Sequence, residues 1–103
     1  MADILKAAFI FVAPNALPQA HHGWVKTEQV HVKTIAVSNY QQACELLDAL
    51  YDEGIRAIEL CAGFGHQGVA QMVECAAGRM HVGVVRFDLH PGLGHVSGDS
   101  LFK

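Results

Sequence analysis

Apolar and polar positions divide the chain into stretches with two different periods. Ile4 to Ala13 (ILKAAFIFVA) is almost continuously apolar and stops at Pro14. That is the pattern of a central strand covered on both faces. Val30 to Ser38 (VHVKTIAVS) is rich in β-branched residues and predicts a second strand. Tyr40, Ala43, Cys44, Leu47, Leu50 and Tyr51 then recur at three- and four-residue spacing. This predicts one helix to Glu53, capped by Asn39, with Gln42 returning the bond and Gly54 ending the run. Ile55 to Cys61 predicts a third strand, and Gly63-Phe-Gly65 a turn. A second helix follows from His66 to Ala77, with Val69, Met72, Val73 and Ala76 inward and Gly78 as its stop. Met80 to Asp88 predicts a fourth strand.

Two segments lack either period. Pro14 to Gln29 holds two prolines, Gly23 and a His-His pair, and reads as a long loop. Leu89 to Lys103 holds Pro91, Gly92, Gly94 and Gly98, and reads as an ordered loop or arm. The predicted order is β-β-α-β-α-β. Strands alternating with helices imply right-handed parallel crossovers. The expected fold is therefore α/β: a small sandwich with a mostly parallel sheet, in a single domain over residues 1–103. It is not the ferredoxin-like order, which puts a helix between the first two strands.

Composition adds one expectation. Of 103 residues, 51% are hydrophobic and 17% charged, which excludes intrinsic disorder. A domain of this length buries only about two-thirds of its unfolded surface. So apolar a chain is expected to self-associate as a homo-oligomer. The apolar surplus falls on Phe64, Trp24, Leu89, Leu93, Leu101 and Phe102. The net charge of −3 is dispersed, which argues against a nucleic-acid partner. The longest apolar run, Ala7 to Ala13, is too short to span a bilayer. Asp3 precedes it and no cleavage site follows, so it reads as a strand of a cytoplasmic protein without a membrane partner. Cys44, Cys61 and Cys75 are odd in number and form no C-x-x-C pair. Neither a disulfide framework nor a zinc site is expected, and Cys44 and Cys75 are assigned to the core as reduced thiols.

In a parallel sheet, ligands bind beyond the carboxyl ends of the strands. That rule gathers Asn39, Glu59, Cys61, the Gly63–Gly65 turn, Arg86, Asp88 and His90 into one place. Glu59 and Cys61 share a face by alternation, as do Arg86 and Asp88, and if the third and fourth strands are neighbours in register Glu59 can pair with Arg86, as a ligand group or as a structural ion pair. Gly63-Phe-Gly65-His-Gln-Gly68 matches G-x-G-x-x-G between a strand and a helix. Only one crossover follows it, where a dinucleotide fold needs two halves. The milder reading is an anion site built from Gly63, Phe64, Gly65 and Gly68, with backbone N–H groups at a helix N-terminus. The plain alternative is a tight turn.

Cys61 stands before that helix with His66 or His90 as a candidate base, the ingredients of a nucleophile. Cysteine is also commonly a small buried hydrophobe. The seven histidines equal Lys and Arg combined. His90 and His95 with Asp88 and Asp99 are candidate metal ligands, and His21-His22 could add to them, but no spacing is diagnostic. Asp88-Leu-His-Pro-Gly92 also has the residues of an ordinary turn.

Three segments carry a resemblance: Ala7-Ala-Phe-Ile-Phe-Val-Ala-Pro14, Ala57-Ile-Glu-Leu-Cys-Ala-Gly-Phe-Gly-His66 and Val84-Val-Arg-Phe-Asp-Leu-His-Pro-Gly-Leu-Gly94. Together they resemble a family of short bacterial proteins of unknown function, about as long as this chain. The resemblance takes in Glu59, Cys61, Gly63, Phe64, Gly65, His66, Gly68, Arg86, Asp88, His90, Pro91, Gly92 and Gly94. It implies no particular reaction and does not extend to His21, His22 or His95.

Three functional readings follow. The first is an oligomeric protein binding an anionic phosphate or carboxylate metabolite at the Gly-rich turn, with Arg86 countering its charge and Glu59, Asp88, His66 and His90 orienting it or exchanging protons. The second is a non-catalytic assembly module. The third is a metal-dependent enzyme using His90 with Asp88. No cofactor is specified by the sequence.

Overall fold

A computed structural model describes residues 3–103. The near-continuous apolar run forms β1 (Leu5–Val12) at the centre of one five-stranded sheet. β2 (His22–Lys26) and β3 (Val30–Val37) lie on one side, β4 (Ala57–Leu60) and β5 (His81–Val84) on the other, in the order β2-β3-β1-β4-β5. β1 pairs in parallel with β3 from Leu5↔Val30 to Val12↔Val37. It pairs in parallel with β4, and β4 with β5. Only β2 is antiparallel. The mostly parallel α/β sheet is as expected, with five strands in place of four.

The fifth strand is β2, inside the segment predicted as a loop. His22-Gly-Trp-Val-Lys26 is short and broken by glycine, but at the sheet edge it needs only one partner, β3. Helices α1 (Tyr40–Glu45) and α2 (Leu47–Asp52) connect β3 to β4, and α3 (His66–Ala76) connects β4 to β5. The single predicted helix is thus interrupted at Leu46, whose N–H bonds back to Ala43 and Cys44. Asn39 Oδ1 accepts the Gln42 N–H at 2.9 Å, as a cap should. Gln42 Oε1 returns not to Asn39 but to the Ser38 N–H, at 2.8 Å. Gly54 turns the chain at φ 93°.

Both crossovers travel the same way across the sheet, so right-handed connections lay all three helices on one face. Alternate strand residues Ala8, Ile10, Ile35, Val37, Ile58 and Leu60 meet Tyr40, Leu47, Leu50 and Met72 in the core. The intervening residues, among them Phe9, Phe11 and Val32, belong to no part of that core. The sheet is therefore covered on one face, not on both as the β1 pattern suggested. Phe64 (1% exposed) and Phe102 (6%) lie inside the core and are not surface surplus, whereas Leu89 and Leu101 are exposed. Val73, expected inward, is 52% exposed.

Cys44 on α1 and Cys75 on α3 are joined by a disulfide, with their Cα atoms 5.8 Å apart. This corrects the expectation of two reduced core thiols: both cysteines are only partly buried at the edge of the core, and the helix stripes that place them there bring them face to face. Cys61 remains a thiol. Among the described residues no helix is long and apolar enough to cross a membrane.

Candidate functional site

At the carboxyl end of β1 the chain leaves toward β2 at one edge. From β4 it leaves through α3 toward β5 at the other. Neighbouring strands whose connections diverge form a crevice where ligands bind in such sheets. The turn Gly63–Gly68 sits at that crevice, and the tail of the chain closes over it.

The α3 N-terminus meets an anion supplied by the chain itself. Asp99 Oδ2 accepts the Gln67 N–H at 2.9 Å, and Oδ1 accepts the Gly68 N–H at 3.2 Å. The Tyr40 hydroxyl donates to Asp99 Oδ1 at 2.9 Å and accepts the Gly65 N–H at 3.0 Å. Ser97 Oγ accepts the Asp99 N–H at 3.1 Å, holding the tail in shape. Unpaired helix donors attract a carboxylate, so of the donors expected for a metabolite those of Gly65 and Gly68 are already engaged here, together with that of Gln67, while those of Gly63 and Phe64 bond back to Cys61.

The glycines of the motif have the same explanation. A Cβ at Gly65 would overlap Ser97 Oγ and the Asp99 carboxylate, and one at Gly63 would overlap Val12. At Gly68 it would lie 2.5 Å from the Tyr40 ring. At Gly98, in the tail, it would strike the Gly63 carbonyl. Each glycine permits a close approach within the protein. Phe64 stacks on Tyr40 with ring centroids 5.2 Å apart, beneath the same turn.

This clasp shifts two titrations. Burial raises the Tyr40 hydroxyl most, with Asp99's hydrogen bond and charge and the Cys61 charge adding to it. The Gly65 N–H works against them, and the result is a pKa raised from 10.0 to about 12. Burial also pushes the Asp99 carboxyl upward. The donors Gln67 N–H, Tyr40 hydroxyl and Gly68 N–H, with His66 beside them, outweigh it and leave Asp99 below its ordinary 3.8.

The other predicted residues separate into groups. Arg86 Nη2 donates to His66 Nε2 and, at 2.5 Å, to Asp88 Oδ1. Arg86 therefore pairs with Asp88 and not with Glu59. Glu59 is opposite Gly83 in the ladder, and Arg86 lies beyond the end of β5. Glu59 is exposed, while Cys61, past the end of β4, packs against the core, so the two do not share surroundings. Cys61 Sγ accepts the Gly63 N–H at 3.2 Å and has no imidazole partner among the described residues. His90 Nδ1 accepts the Gly92 N–H at 2.9 Å, the turn role read beside its metal role. His95 takes a left-handed φ of 63°. Among the described residues no three His, Cys, Asp or Glu side chains converge as a metal site. Asn39 uses its side chain as the α1 cap.

Beside the clasp, the ends of β1 and β3 and the tail border an open groove of about 470 Å³, lined by residues including Val12, Ser38, Leu93 and Phe102. Arg86 and His66 lie outside its lining. Tyr40 was legible only as one member of a helix stripe, and Ser97 carried no signal. Asp99 stood out only as a candidate metal ligand.

The profile of the Family of unknown function (DUF6506) matches residues 5–100. No curated protein and no solved structure matches the chain.

Proposed function

The chain belongs to the Family of unknown function (DUF6506), and from the geometry of its site we propose that it binds a small anionic metabolite, a carboxylate or phosphate, at Arg86 and His66. The observation that carries this reading is the state of the guanidinium. Among the described residues only Nη2 has protein acceptors, and the side chain is 36% exposed. Nε and Nη1 have no protein acceptor among the described residues, and because both two-nitrogen forks of a guanidinium run through Nη2, an incoming oxyanion takes its two-nitrogen grip by displacing Asp88 from Nη2. Asp88 is 84% exposed, and an exposed ion pair is worth only about 0–1 kcal/mol. A ligand carboxylate or phosphate can therefore replace it at little cost. His66 accepts from Arg86 through Nε2, which leaves Nδ1–H as a further donor.

The reading relocates the ligand from the backbone of the Gly-rich turn to the side chains beside it. Asp99 stays in place as the clasp. Calorimetric titration with a panel of phosphorylated and carboxylated metabolites tests it. Arg86→Ala is expected to weaken binding at least about tenfold, the equivalent of about 1.4 kcal/mol. Asp88→Asn is expected to strengthen it, because it removes the competing carboxylate. Equal affinity in wild type and Arg86→Ala, or no binding to wild type, ends the proposal.

A further inference from the structure

Among the described residues no helix packs on the second face of the sheet, and only the loop before β2 reaches over its Phe11–Ala36 end. Residues of this face alternate with those of the core: Ala7, Phe9 and Phe11 on β1, Val32 and Ala36 on β3, and Val25 on β2. None of these belongs to the core cluster or packs against it, although the small Ala7 (5%) and Ala36 (4%) are shielded by their neighbours. Val25 is 66% exposed. Contiguous apolar patches of this extent are uncommon on solitary proteins and mark interaction surfaces.

We propose that this face is the interface of a homodimer, two copies packing sheet on sheet. Chemistry and area both select a second copy. By alternation, the lysines of these strands (Lys6, Lys26 and Lys33) all fall on the helix side, where Lys33 pairs with Glu53 at 2.9 Å. The open face therefore offers no cation to a nucleic acid or an anionic membrane surface.

Its ionisable groups are His21, beside Phe11 and Ala36 at the β2 end, and, at the opposite side of the sheet, Glu59 on β4 and His81 on the adjacent β5. Glu59 and His81 are exposed, and Glu59 has no ion-pair partner among the described residues. A two-fold axis between the faces, perpendicular to the strands and level with the Ile58↔Val82 pair, lays β4 antiparallel over β4. Each Glu59 then stands over Ala57 of the other copy, one strand away from that copy's His81. The face is thus self-complementary in hydrogen bonding, imidazole donor to carboxylate acceptor, as a two-fold interface requires.

Strands about 4.8 Å apart, rising about 3.3 Å per residue, give the five strands roughly 450 Å² of flat area. Side-chain relief adds to this, so two copies remove on the order of 1,000 Å² or more from water, the size at which specific interfaces begin.

Sedimentation velocity on the full chain, over a concentration series, tests the proposal. Wild type is expected to sediment as a dimer at micromolar concentration. Phe9→Glu is expected to sediment as a monomer with an unchanged circular dichroism spectrum. Val25→Lys, at the exposed edge, is the second variant should Phe9→Glu fail to fold, and is expected to weaken the dimer about tenfold or more. A monomeric wild type overturns the proposal, and so does a folded Phe9→Glu or Val25→Lys protein that dimerises as tightly as wild type. Metabolite affinity at Arg86 is a separate readout, so either proposal can fail alone.

Discussion

The Tyr40 hydroxyl donates to Asp99 at 2.9 Å while accepting the Gly65 N–H, so one phenol ties the start of α1 to the tail across the mouth of α3. Residues 59 positions apart meet there. Helix entry, Gly-rich turn and tail form one unit, and changes to any part should be felt in the others.

Asp99→Ala removes the carboxylate that satisfies two N–H groups of α3 and the Tyr40 hydroxyl. Loss of a comparable helix cap costs about 0.5–2 kcal/mol. For a chain of this length, each 1 kcal/mol lowers the melting temperature by roughly 4–8 °C. Thermal denaturation at neutral pH should show a drop of that order. An unchanged Tm would mean that the tail contributes nothing to the fold.

The same clasp sets pH limits at both ends. Asp99 is depressed in the fold, so its contribution is complete above its ordinary 3.8 and is lost as pH falls through the lower folded value. Tyr40 is raised, so its contribution is complete below 10.0 and is lost as pH rises through about 12. The stability difference between wild type and Asp99→Asn should therefore shrink below about pH 4. That between wild type and Tyr40→Phe should shrink above about pH 10. Denaturant titrations across pH measure both differences, and one that stayed constant would contradict the assignment.

Gly98→Ala should be far more damaging than an ordinary glycine replacement. The added methyl group meets the Gly63 carbonyl, a backbone atom that cannot rotate away. Overpacking of this kind typically costs about 1–3 kcal/mol. Gly23→Ala is the control, since nothing lies within 4 Å of its would-be Cβ. It should leave stability within about 0.5 kcal/mol. Equal melting of the two variants would place the tail away from the turn.

Titration with a thiol reagent under non-reducing, denaturing conditions should count one thiol per chain, Cys61. Prior reduction should raise the count to three, by releasing Cys44 and Cys75. Reduction is also expected to lower stability by about 2–4 kcal/mol. Three thiols without reductant would exclude the α1–α3 bridge.

What the sequence made legible followed periodicity. β1 and β3 were readable from apolar and β-branched runs, and α3 from its stripe and the Gly78 stop. β2 was not, because an edge strand needs no apolar alternation and His22-Gly-Trp-Val-Lys26 follows a proline-containing stretch. The interruption at Leu46 left no trace, having neither proline nor glycine. The candidate site was half legible. Strand ends located the Gly-rich turn, and Arg86, Asp88 and His66 do come together, at the start of α3. What fills the turn was hidden, because a G-x-G-x-x-G spacing reports that something approaches the backbone closely without saying what. Here it is Asp99, Ser97 and the Tyr40 ring, contributed from distant parts of the chain. The uncovered face is hidden in the sequence for a related reason. The strand β1 is apolar at nearly every position, and residue type alone does not tell a covered face from one awaiting a partner.

The tail's place in the core also orders events in time. All five strands and all three helices precede residue 97 in the chain, yet Phe102 is buried among them and Asp99 closes the turn. A nascent chain emerging from the ribosome must therefore carry an unfinished core, with the helix donors of α3 still wet, until these late residues arrive. Folding of this domain completes on its last-made core segment, and a truncation upstream of residue 97 would leave every strand present and the domain unsealed.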